Sequence, residues 1–236
     1  MLYIDLPEAY KDRLLSFYLA MEEFVARQMD IDDCLLMWQV GPSVIFGRNQ
    51  SVESEVNLAF CKAHQINVYR RKSGGGCVYA DHDNVMLSYI SQGDNVGQAF
   101  NRFIQMMLLV LRRMGVEAVS TSHNDVMIGD RKVSGTACYQ VGGKSIVHGT
   151  LLYDTNMDYM LHAITPSSEK LHQKGIQSVR QRITLLKDHV TLTKEEVKSL
   201  FRTTLCQGER LLTSEDVTAI EVLEKEYLCK EFINKL

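Results

Sequence analysis

Between Ala118 and Asp154 three apolar-rich runs, NDVMIG, RKVSGTACY and SIVHGTLLY, are separated by Gly129-Asp130 and Gly142-Gly143. Both dipeptides reach positive φ at little steric cost, which is what a two-residue hairpin turn demands. Three strands laid side by side by such turns commit this stretch to an antiparallel sheet, so any fold for the chain has to be built around one.

Upstream, helical and strand patterns alternate. A helix is expected from about Lys11 to Met29, with Leu14, Tyr18, Met21, Phe24 and Val25 on one face. CLLMWQV (34–40) and SVIFG (43–47), joined across Gly41-Pro42, read as paired buried strands. A short helix near Glu55–His64, a strand around Val68, a strand beginning at CVYA and another at NVMLSYI (84–90) follow. Asp94 offers an N-cap for a long helix with Val96, Phe100, Phe103, Ile104, Met107, Leu108 and Leu111 on one side, ended by Gly115.

Fourteen of the fifteen glycines lie before residue 176, and the remainder reads as helices. Thr193 and Glu196 form a capping box for one helix, with Val197, Leu200, Phe201 and Leu205 inward and Gly208 closing it. Thr213 or Ser214 caps the next, with Val217, Ile220 and Leu223 inward. The pattern argues for an α+β fold, a mostly antiparallel sheet carrying helices. No repeat or linker divides it. The expectation is one domain over 1–236, with a core of about 1–190 and a helical tail of about 191–236.

Charge and cysteine usage narrow the function classes. The net charge is −3 and no long basic tract occurs, so a nucleic-acid partner is not expected. No stretch approaches the ~20 apolar residues of a membrane span, and the N-terminus is charged where a signal peptide would be apolar. Six cysteines are scattered without a C-x-x-C pair, as in a reduced, cytoplasmic protein.

Three segments carry chemistry. In Arg70-Arg71-Lys72-Ser73-Gly74-Gly75-Gly76, consecutive glycines let backbone N–H groups converge on an anion, and three cations stand beside them. A flexible hairpin loop with a solvated charge run is an equally open reading. The loop is neither a Walker A motif nor a G-x-G-x-x-G fingerprint. Asn124-Asp125 with Lys132-Val133-Ser134-Gly135-Thr136 places a lysine among small residues, where its ammonium could reach a phosphate oxygen or, equally, stand exposed on an edge strand. His148-Gly149-Thr150 sets one histidine in a strand, a place where structural histidines are common.

Taken in order, RRKSGGGCVYADHDN, SHNDVMIGDRKVSGTA, VHGTLLYDTN and KGIQSVRQRITLL resemble the lipoate–protein ligase family. That resemblance implies a catalytic domain like that of biotin ligases, with a mixed, largely antiparallel sheet flanked by helices. It implies ATP-dependent activation of lipoate or octanoate to an acyl-adenylate, with Mg²⁺ screening the polyphosphate. The acyl group then passes to a lysine of a lipoyl carrier domain, either a 2-oxoacid dehydrogenase acyltransferase subunit or the glycine-cleavage carrier protein. Within the motifs, the catalytic lysine falls on Lys132. Acyl-adenylate-binding residues fall on Arg71, Ser73, Gly74, Gly75, Gly76, Asn124, Asp125 and His148. Trp38, Gly47 and Arg48 match the region that walls the acyl pocket.

The chain departs from the family pattern in two places. Ala80-Asp81-His82-Asp83-Asn84 stands where the family has H-D-x-G-N. Many members also carry a C-terminal accessory domain; none is expected within these 236 residues, which leaves open adenylation with a separate partner protein or transfer from preformed acyl-adenylate. A related transferase class of the same fold forms a cysteine acyl-thioester without ATP, making Cys77 and Cys138 the alternative nucleophiles. A non-catalytic subunit that binds adenylate or carrier is the reading from another class; the intact Lys132 and SGGG loop argue against it.

Overall fold

The computed structural model describes residues 1–93, 95–164 and 182–234. The chain opens with β1 (Leu2–Asp5), α1 (Leu15–Gln28), β2 (Asp33–Trp38) and β3 (Ser43–Phe46). Two short helices, α2 (Val52–Glu55) and α3 (Leu58–Ala63), lead to β4 (Asn67–Arg70), β5 (Val78–Ala80) and β6 (Asn84–Gln92). The long α4 (Val96–Arg113) precedes β7 (Val119–Ser120), β8 (Val126–Ile128), β9 (Arg131–Val141) and β10 (Lys144–Leu152). Then come α5 (Met157–Ala163), α6 (Lys194–Leu205), β11 (Gly208–Leu211), α7 (Ser214–Tyr227) and α8 (Lys230–Ile233).

Among the described residues the main sheet has the order β11-β1-β2-β6-β10-β9-β8-β7. Only the β1 pairings to β11 and β2 are parallel, so the sheet is mixed and largely antiparallel. The expected β8–β9–β10 meander is present, and Gly142 and Gly143 both have positive φ, as its tight turn needs.

Alternating side chains divide the core in two. Cys34, Leu36, Trp38, Met86, Ile90 and Ile146 face α1 and α7, whereas Leu35, Met37, Val85, Leu87, Val147 and Leu151 face α4 and α6. A small sheet, β4-β3-β5, packs with α3 and α5 around Val44, Phe46 and Tyr79.

Several sequence expectations shift. β2 and β3 are both buried, but they do not pair: β2 lies between β1 and β6, and β3 between β4 and β5. Pro42 offers no N–H, and its carbonyl accepts from Asn67, which turns the chain toward β4. Helix α1 begins at Leu15 because Asp12 sits at φ 63, and Leu14 is 52% exposed at the N-cap. The expected one-sided stripe is replaced by burial all round, because α7 covers the outer face.

Asn95 caps α4 with a capping box to Gln98; Asp94 lies outside the described residues, as do 174–181 of the fourth motif. Gly208 does not close α6. That helix ends at Leu205, and Gly208 opens β11 alongside Leu2.

Candidate active site

Strict alternation along β9 would put Lys132 on the face that holds Ser134, Thr136 and Cys138. A register shift changes this: Val126 pairs with Ser134 but Met127 pairs with Lys132, leaving Val133 as the extra residue. The bulge turns Val133 into the α4-side core and carries Lys132 to the face of Gly135 and Ala137. Its backbone is clamped from outside, with its N–H donating to the Arg182 carbonyl at 2.7 Å and its carbonyl accepting from Thr184 at 3.0 Å. Lys132 Nζ lies 2.8 Å from Asp125 Oδ1. Gly135 is needed beneath it, since a Cβ there would fall 2.7 Å from Nζ. Asn124, at φ 61, shapes the preceding turn, and its carbonyl accepts from Thr136 Oγ1.

The glycine-rich loop winds around the Arg71 guanidinium. That group donates to the carbonyls of Ile45, Gly74 and Gly76 and to Ser73 Oγ, and its burial pulls its pKa down to about 10. Arg71 is thus an internal staple of the loop, and with Gly76 it also lines the cavity that Lys132 borders. Gly47 packs backbone to backbone on this loop: a Cβ would meet the Gly75 carbonyl oxygen at 2.3 Å. The Arg48 amide donates to the Ser73 carbonyl, but the Arg48 side chain is exposed and points to no cavity wall.

A buried polar chain continues from the loop. Ser73 Oγ is 2.7 Å from His148 Nε2, and His148 Nδ1 is 3.0 Å from Glu22 Oε2. The Ser88 hydroxyl donates to the other Glu22 oxygen and accepts from Trp38 Nε1 at 2.9 Å. Each proton has a place when Nδ1 carries the imidazole hydrogen and Ser73 donates to Nε2. The order Ser–His–Glu imitates a nucleophile with its base, yet Ser73 is fully buried, accepts from Arg71 and lines no cavity. In this structure its hydroxyl links the loop to His148.

Glu22 and Ser88 were not singled out from the sequence. The signal available was the Glu22-Glu23 pair inside the apolar run LSFYLAMEEFVA, where a carboxylate can be buried only with partners.

Two cavities meet at Lys132. The first, about 120 Å³, is walled by Leu19, Trp38, Ile45, Met86 and His148. The second, about 240 Å³, is walled by Tyr79, Leu152, Met160, Leu161, Ile164 and Ile183. Cys77, Val78, Lys132, Gly135 and Thr150 border both. A larger cleft of about 670 Å³ lies beyond Trp38, away from Lys132; Lys194, Lys198 and Arg202 in it are paired with Asp83, Glu195 and Glu209. Lys132 borders the smaller joined pair and not this cleft.

This site has counterparts. A family model described as the lipoyl protein ligase A/B catalytic domain matches residues 15–206. The chain belongs to that family. Lipoate–protein ligase 1 of Staphylococcus aureus is 35% identical over 216 residues, covering 88% of this chain and 66% of the relative. The present chain therefore spans about two thirds of that relative's length.

Among solved structures, a chain from the lipoylation system of Thermoplasma acidophilum superposes with a TM-score of 0.85 at 26% identity. The match covers 98% of this chain and 95% of that one, and the system is described as a bi-partite lipoate protein ligase and its E2 lipoyl domain. A lipoate-protein ligase A bound with ATP gives a TM-score of 0.80 at 25% identity, over 96% of this chain and 100% of that one.

In this lipoyl ligase domain the two cysteines differ in place. Cys77 borders both cavities, and burial pushes its thiol up to about 12. Cys138 turns to the opposite, α4-side core, and burial raises it to about 11. The Arg71 charge draws the Cys77 thiol down but burial outweighs it, and for Cys138 burial alone sets the direction. Among the described residues no cluster of three or more His, Cys, Asp or Glu forms a metal site, and Asp125 is engaged by Lys132.

Proposed function

We propose that the chain activates lipoate or octanoate with ATP and passes the acyl group to a lysine of a lipoyl carrier domain. The observation that carries this reading is the position of Lys132, a cation at the junction of an apolar slot and a second cavity beside a glycine-rich loop. The slot ending at Trp38 suits an acyl chain, and the second cavity suits a nucleotide base and ribose. The carboxylate and α-phosphate would then meet at Lys132.

The acyl carboxylate oxygen attacks the α-phosphorus and pyrophosphate leaves, giving the acyl-adenylate. Charge grows on phosphoryl oxygens beside Lys132 Nζ, worth on the order of 4 kcal/mol at contact distance and intermediate dielectric. The carbonyls of Gly74 and Gly76 are turned in to Arg71, so the trans peptides turn the N–H groups of Gly75 and Cys77 the other way, where they would supply fixed dipoles to the adenylate. Asp125 holds the lysine as an electrostatic group. The carrier lysine amine then attacks the carbonyl carbon, and AMP leaves. Mg²⁺ entering with ATP would screen the polyphosphate charge, and Lys132 would remain the protein's own cation at the α-phosphate.

Two relatives support parts of this reading: one lipoate-protein ligase A is bound with ATP, and the Thermoplasma system pairs a bi-partite ligase with an E2 lipoyl domain. By analogy the carrier is a 2-oxoacid dehydrogenase acyltransferase subunit or a glycine-cleavage carrier protein.

The test is pyrophosphate exchange into ATP by the purified chain, with and without lipoate or octanoate. Exchange dependent on the acid establishes adenylation by this chain alone. No exchange, with transfer from synthetic lipoyl-adenylate to a lipoyl domain, assigns adenylation to the accessory partner. Neither activity, but transfer from an acylated carrier, overturns the ligase reading in favour of the cysteine transferase.

A further inference from the structure

The family match ends at residue 206, yet contacts from beyond it reach the glycine-rich loop. Arg70, at the loop's entry, is 2% exposed; its Nε donates to the Ile233 carbonyl in α8 at 2.9 Å and its Nη1 to the Arg48 carbonyl at 2.6 Å. Lys72, between Arg71 and Ser73, turns outward. Its Nζ lies 2.7 Å from Glu23 Oε2, 2.7 Å from Glu226 Oε2 and 4.9 Å from the centroid of the Tyr227 ring. Tyr227 also donates its hydroxyl to Glu23 at 3.0 Å. Two of the three groups that hold the Lys72 cation therefore belong to α7.

Helix α7 has a separate hold on α1 through Ser16–Glu224 and on the segment before it through Arg13–Glu221. The helix's last turn adds Tyr227, which packs in the core against α1 and bonds Glu23, and the same turn closes on Lys72 through Glu226 and the Tyr227 ring. A loop with three consecutive glycines loses much conformational entropy when ordered. Arg71 fastens it from inside, and Lys72 and Arg70 fasten it from outside.

We propose that Glu226 and Tyr227, with the Ile233 carbonyl, are positioning groups for the glycine-rich loop, so that α7 and α8 form part of the acyl-adenylate site. The proposal rests on the reading of this loop as the adenylate cradle. Removing a tether leaves the loop's residues in place but spreads their conformations. Ligand must then order the loop at its own expense, which raises KM more than it lowers kcat.

The experiment uses Glu226→Gln, Tyr227→Phe and Glu226→Asp in the full chain. Amide hydrogen exchange is followed at residues 71–77, and KM and kcat are measured for transfer from synthetic lipoyl-adenylate to a lipoyl domain. Glu226 is half exposed and Tyr227→Phe keeps the ring, so both variants fold.

The expected result has three parts: faster exchange at 71–77 with β6 and β10 unchanged, KM raised roughly three- to tenfold with kcat altered less, and recovery in Glu226→Asp. Unchanged protection at 71–77 in both Glu226→Gln and Tyr227→Phe would overturn the proposal, whatever happens to the melting temperature. Should the wild-type chain transfer nothing, the functional reading fails, and hydrogen exchange alone still decides whether the tail braces the loop.

Discussion

Lys132 owes its place to a neighbour with no side chain. In Gly135→Ala the new Cβ would meet Nζ at 2.7 Å and Cε at 2.8 Å, and the flexible end of the lysine must give way. The strand itself accepts alanine, so the expected outcome is a chain that folds and still binds lipoate, read by fluorescence of Trp38, its single tryptophan, but transfers slowly. Lys132→Ala should cost about 10²–10³ in adenylation rate, the range for removing one preorganised charge-stabilising donor. Full activity in that variant would sink the mechanism.

The cysteines give the opposite kind of test. With the Cys77 thiol pushed up to about 12, on the order of one in 10⁵ is thiolate at neutral pH. Cys77→Ser and Cys138→Ser should each keep transfer within about twofold, an effect well under 1 kcal/mol. Loss of activity with a trapped acyl-thioester in the parent would restore the transferase.

At the scale of elements, the buried chain Ser73–His148–Glu22–Ser88–Trp38 joins the glycine-rich loop, β10, α1, β6 and β2 across the core. Glu22→Leu removes the acceptor for both His148 and Ser88. Each buried group left unsatisfied costs about 1–3 kcal/mol, so thermal denaturation should fall by roughly 5–15 °C in a domain this size. Glu22→Gln keeps one acceptor and should lose less than half as much. Equal melting of the two variants would mean that the network contributes little.

Such a network marks where sequence reading stops. The β8–β9–β10 hairpin connections followed from Gly129-Asp130 and Gly142-Gly143, and the box at Thr193–Glu196 was legible, because both signals are local. The Val133 bulge, the separation of β2 from β3 and the pairing of GERL with β1 are set by distant partners. In β11 all four residues are exposed, so no alternation announced a strand. Arg71, Ser73 and His148 were found as a motif, whereas Glu22 became visible only once α1 was laid against β10.

At the scale of the whole molecule, acid should act first where the tail, α1 and the glycine-rich loop converge on Glu23. Its carboxyl is 3% exposed. Burial pushes its pKa up, but hydrogen bonds from Lys72, Arg27 and Tyr227 together outweigh that and hold it below its ordinary 4.5. Because the folded value lies below the unfolded one, the carboxylate stabilises the fold fully above about pH 4.5 and loses this as pH falls through the folded value.

Glu23→Gln mimics the protonated state. The stability gap between wild type and this variant should therefore be open at pH 7 and close progressively below pH 4.5. Urea unfolding across that range measures it. A gap that stays constant to pH 3 would place the acid sensitivity elsewhere. If it closes as expected, hydrogen exchange at residues 71–77 should accelerate over the same interval, since protonated Glu23 leaves Lys72 held mainly by the half-exposed Glu226. Loop order and acid stability would then share one carboxylate, linking the fold's periphery to its site.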